Sequence, residues 1–109
     1  MTKYENLTND LKSAVYKAEE FASNSNDDGG TCNFDTLALK LPRYNEKETL
    51  KAIESAGTRA YKTSWCGEYF FFISNPVIAQ GTKRTAQAEI MANYMRDKGY
   101  DAYVYYQMD

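Results

Sequence analysis

The residues best suited to hold a ligand fall in one run, residues 75–85, with the sequence NPVIAQGTKRT. The short apolar stretch Tyr69 to Ile73 precedes the run and a helical repeat follows it, so it leads from a strand into a helix N-terminus. Such an end offers unpaired backbone N–H groups and a partial positive charge. Cations beside it are unfavourable by roughly a few tenths to 1 kcal/mol, yet Lys83 and Arg84 stand there. A bound phosphate or carboxylate reverses that sign. Gln80, Gly81, Thr82, Lys83, Arg84 and Thr85 would then turn backbone amides, two hydroxyls and two cations toward one anion. Gly81 permits close backbone approach. The glycine spacing differs from that of a P-loop. The competing reading starts the helix at Thr85 and leaves Lys83 and Arg84 in water.

Residues 27–35, DDGGTCNFD, form a second oxygen-rich run. They do not follow the calcium-loop pattern and read as a linker with an Asp-Gly turn. Catalytic sets are missing from the sequence. There is no His, which removes the commonest general base and metal ligand. Cys32 and Cys66 lie too far apart in the chain to suggest a zinc site. No Ser or Cys occupies a nucleophile elbow, and no spacing pairs Asp35, Glu68, Glu89 or Asp101. The expectation is a binding protein rather than an enzyme, with no metal and no cofactor.

The elements that must position these residues follow from periodicity. Residues 3–24 repeat apolar positions at three- and four-residue steps (Tyr4, Leu7, Leu11, Ala14, Val15, Ala18, Phe21, Ala22), which predicts an amphipathic helix. Thr2 and Glu5 fit a capping box. The polar run SNSNDDGG at 23–30 ends it. Residues 31–41 alternate as a strand, stopped by Pro42. Asn45 with Glu48 caps a second helix that ends at Gly57. Residues 58–65 and 69–74 read as strands joined by a Cys66-Gly67-Glu68 turn. A third helix, capped by Thr82 or Thr85, runs to Lys98. Residues 100–108 form a last strand.

The order is a leading helix followed by β-α-β-β-α-β, the split-βαβ pattern of a ferredoxin-like sandwich. Right-handed crossovers put both later helices on one face of a four-stranded antiparallel sheet, with strands expected in the order 4-1-3-2. The 109 residues suit one α+β domain, with 1–26 as helix and linker and 31–109 as core.

Alternation makes both sheet faces partly apolar. Tyr69, Phe71 and Ile73 oppose Phe70 and Phe72, while Val104 and Tyr106 oppose Tyr103 and Tyr105. The second face therefore needs a cover: the first helix, a second subunit or a ligand. Phe34, Tyr69, Phe71, Tyr103 and Tyr105 are the candidate rings for stacking or an interface. With ten Tyr in the chain, a binding face and a ring-thickened core are both open readings.

A net charge of −2 fits neither nucleic-acid wrapping nor a carboxylate-coated DNA mimic. An RNA-recognition reading would use the same fold, but residues 66–73, CGEYFFFI, lack the opening basic residue. No stretch is apolar enough for a membrane span and the N-terminus has no apolar signal core, so cytoplasmic residence and reduced thiols are expected.

The chain is short, acidic and free of His, carries surplus Tyr, and ends on a strand at residues 106–109, YQMD. In general character it resembles small phage and prophage proteins that blunt bacterial defences, such as anti-CRISPR proteins and nucleotide-signal sponges. The resemblance rests on no motif. It implies a non-enzymatic inhibitor whose partner is a host defence protein or a phosphorylated nucleotide. The rival expectations are a homodimeric module without ligand and a single-strand nucleic-acid binder.

Overall fold

Residues 2–24, 35–76 and 81–106 are described by the computed structural model, the side chains of 24 and 81–84 excepted. The first helix, α1 (Lys3–Asn24), starts on a reciprocal cap. Thr2 N–H donates to Glu5 Oε1 and Glu5 N–H to Thr2 Oγ1, each at 3.1 Å. Its stripe of Leu7, Leu11, Ala14, Val15, Ala18 and Ala22 is buried.

Six further elements follow: β1 (Thr36–Lys40), α2 (Glu46–Ser55), β2 (Ala60–Trp65), β3 (Glu68–Ile73), α3 (Gly81–Asp97) and β4 (Asp101–Tyr105). The sheet is antiparallel throughout, in the order β2-β3-β1-β4. Asn45 caps α2 as its type and spacing predict, its side chain accepting from Glu48 N–H at 3.0 Å. The hairpin turn is shorter than expected. Cys66 (φ 54°) and Gly67 (φ 80°) alone form it, so Trp65 pairs with Glu68. Two successive residues at positive φ are the mark of a type I′ turn, whose twist matches that of the strands.

The leading helix does not cover the second sheet face. It lies on the same face as the other two helices, packed between them: α1 contacts both α2 and α3, and those two do not touch each other among the described residues. Its stripe joins Leu37, Leu39, Phe71 and Ile73 of the sheet and Ile53, Met91 and Met95 of the flanking helices in one core. Buried alanines on α1 and α3 (Ala14, Ala18, Ala88, Ala92) keep side chains short where the two helices meet. Polar ties fix the register. Thr8 Oγ1 donates to Ala52 O at 3.0 Å, Asn45 N–H to Tyr4 Oη at 2.9 Å, and Tyr100 Oη–H to Asp10 Oδ2 at 2.8 Å.

Candidate binding face

With three helices on one side, the outer side of the sheet is left to its own side chains. Pairing fixes which they are. Tyr61, Thr63 and Trp65 of β2 stand beside Phe72, Phe70 and Glu68 of β3. Ala38 of β1 stands between Phe72 and Tyr103, and Thr36 beside Tyr105.

These rings form a second, smaller cluster. Phe70 and Phe72 are each 5% exposed although no helix covers them. Their cover is Trp65 and Tyr105. The indole centroid lies 5.1 Å from Phe70 and 6.0 Å from Phe72, and Tyr105 lies 4.9 Å from Phe72. Trp65 and Tyr105 meet edge to face at 5.0 Å, across the whole width of the sheet. Ala38 makes this possible, since a larger residue in mid-sheet would fill the space the indole crosses. Tyr61 leans on Phe72 at 5.7 Å and Tyr103 on Phe70 at 5.7 Å, and both remain well exposed. The outer face is therefore a sealed aromatic layer with two tyrosines projecting from it.

Its rim is charged. Lys40 is ion-paired with Glu68, and that hydrogen bond holds the ammonium pKa above its ordinary value. Tyr103 hydrogen-bonds Asp101, which together with burial raises its hydroxyl pKa. Lys40, Glu68 and Asp101 gather at one end of this face and Arg59, in step with Tyr61, stands at the other, so its charges balance.

Phe71 is 2% exposed in the helix-side core and offers no ring to a ligand. Tyr69 is exposed but stands on the helix side with Phe71. Lys62 Nζ lies 5.3 Å from its ring centroid, and it lines a cavity of about 300 Å³ with Tyr44 and Pro42. Tyr103 and Tyr105 are on the outer face. Phe34, Gln80 and most of the oxygen-rich run 27–35 lie outside the described residues, as do the side chains of Gly81, Thr82, Lys83 and Arg84. The backbone of α3 begins at Gly81, so Lys83 and Arg84 belong to its first turn rather than preceding a helix that starts at Thr85. Thr85 Oγ1 donates to Asp35 Oδ2 at 2.5 Å, and Asp35 is 2% exposed. A carboxylate of the chain itself thus sits against this turn. Asn75 Nδ2 donates to Asp35 O at 3.2 Å from the strand side of the loop.

Among the described residues no His, Cys, Asp or Glu cluster could hold a metal ion, and no helix is long and apolar enough to cross a membrane. Comparison with protein-family models, with curated proteins and with solved structures finds no match to the chain.

Sequence reasoning overlooked Tyr61, Trp65, Phe70 and Phe72 as one constellation. The signal lay in the turn. A three-residue turn at 66–68 would pair Trp65 with Tyr69 and put the indole on the other face, because a one-residue slip inverts every side chain. The Cys-Gly pair, read as a two-residue turn, places Trp65 over the two phenylalanines.

Proposed function

We propose that this chain is a non-enzymatic binding protein whose outer sheet face is its contact surface for a protein partner, in the manner of a small counter-defence inhibitor that engages a host defence protein. The observation that carries this reading is the aromatic layer itself. Trp and Tyr dominate the central residues of protein–protein interfaces, supplying large contact area at little conformational cost. A Trp held by three neighbouring rings and two projecting tyrosines is a ready-made rigid patch. The ferredoxin-like description of the fold belongs to the same proposal. The element and strand orders support it, and α1, wedged between the crossover helices, would extend that pattern at its N-terminal end.

Charge favours protein over nucleic acid. A phosphate backbone crossing this face would meet two carboxylates and a lysine already paired, with Arg59 alone among the described residues to attract it. Bases could not stack on Phe70 or Phe72 without displacing Trp65 and Tyr105. A phosphorylated nucleotide at the start of α3 would approach Asp35. The partner surface expected here is apolar, with charges of both signs at its rim.

The test is the double substitution Tyr61→Ala with Tyr103→Ala, expressed in cells carrying the natural gene. The variant should keep the wild-type near-ultraviolet circular dichroism of Trp65 and lose the protein that co-purifies with the native chain. Co-purification at the native level with both rings gone would count against the reading.

A further inference from the structure

The two edges of the sheet are finished differently. At β4, Arg96 reaches from α3 and its Nε–H donates to Ala102 O at 2.7 Å, occupying a carbonyl of that edge. At β2, the outward groups can be identified from the ladder. Ser74 N–H donates to Arg59 O at 2.9 Å, which makes Arg59 and Ser74 a hydrogen-bonded pair. Antiparallel pairs alternate, so Tyr61, Thr63 and Trp65 turn their backbone groups to β3. Ala60, Lys62 and Ser64 turn theirs away. Among the described residues no side chain or strand takes up these groups.

A central lysine is a common guard on such an edge, but Lys62 does not act as one. Its ammonium is drawn back over the helix side, 3.7 Å from Glu46 Oε1 and 5.3 Å from the Tyr69 ring centroid. Two hollows border the strand. One, of about 520 Å³ at its start, is lined by Glu54, Gly57, Thr58 and Arg59; the other, of about 300 Å³, lies on the helix side of its middle, where Lys62 meets Tyr44, Tyr69 and Phe71. Open backbone groups with side-chain hollows beside them are the parts that strand addition uses, the first for affinity and the second for specificity.

We propose that the β2 edge takes an extended, acidic peptide segment of a partner protein as a fifth strand of the sheet. Charge selects this occupant. Residues 58–65, TRAYKTSW, hold two cations and no carboxylate. A second copy pairing β2 with β2 about its centre would set Lys62 opposite Lys62, and directly opposed like charges destabilise a ladder. An aspartate or glutamate opposite Lys62 shares the ammonium with Glu46, and Arg59, which carries no ion pair among the described residues, adds a second attraction. The inference is independent of the outer aromatic face, which a strand at this edge leaves uncovered.

The test presents a display library of random twelve-residue peptides to the intact chain and compares variants by titration of the enriched peptides. The expected winners alternate β-formers and carry acidic residues. Lys62→Pro removes one outward N–H without touching the β2–β3 ladder, and should weaken them by roughly tenfold or more. Lys62→Glu keeps every N–H and should shift selection toward basic peptides, which preserves the test if the proline variant fails to fold. Absence of enriched sequences, or peptides that bind wild type and Lys62→Glu equally, overturns the proposal. So does a wild-type dimer in sedimentation that Lys62→Glu alters, since the occupant would then be a second copy.

Discussion

The indole of Trp65 lies 5.0 Å from the ring of Tyr105, centroid to centroid, although their strands are the two opposite edges of the sheet. One side chain thus spans the outer face and seals it over Phe70 and Phe72. Trp65→Ala should unseal both phenylalanines. Truncating a fully buried Trp costs about 3–5 kcal/mol; Trp65 is only partly buried, so about 2 kcal/mol is expected. Urea denaturation should show this loss, together with new binding of a hydrophobic dye.

The position of α1 between α2 and α3 makes it part of the core rather than an addition to it. Leu11→Ala removes a fully buried side chain from that wedge and should cost roughly 2–5 kcal/mol. A chain beginning after residue 24 should fail to give a cooperative thermal transition, because the stripes of α2 and α3 would face an empty groove.

The hairpin carries a residue that its turn type does not favour. Cys66 is exposed, with φ at 54°, in a region that costs most side chains about 1–2 kcal/mol and that Asn occupies readily. Cys66→Asn should raise stability by about 1 kcal/mol, seen as a higher denaturation midpoint with an unchanged slope.

Burial, aided by the hydrogen bond to Asp10, holds the hydroxyl pKa of Tyr100 well above its ordinary value of 10.0. The folded pKa exceeds the unfolded one, so this contribution is fully present below about pH 10 and is lost as pH rises beyond it. Stability should therefore fall more steeply above pH 10 in the wild type than in Tyr100→Phe. At neutral pH that variant should be weaker by about 1–2 kcal/mol, for one hydrogen bond to a carboxylate.

Periodicity made the elements legible. The stripe of α1, the Asn45 cap and the β1 alternation each carry local physics strong enough to survive packing. The place of α1 was not legible, because an amphipathic helix states which face it buries and not what buries it. The outer face was half legible. Alternation identified Tyr103 and Tyr105, but the Trp65 constellation depended on a single residue of turn length. Phe71 misled for the reason Phe70 was missed: a run of three phenylalanines carries no polar residue to mark which face is outward.

Placing a photo-crosslinking phenylalanine analogue on the outer face tests the central claim most directly. The analogue would replace Tyr61, Tyr103 or, as a control on the helix side, the 64%-exposed Tyr16, in cells carrying the natural gene. The account predicts one protein adduct of the same mass from positions 61 and 103 and none from 16. An adduct from 16 alone, or none from either outer position, would contradict it.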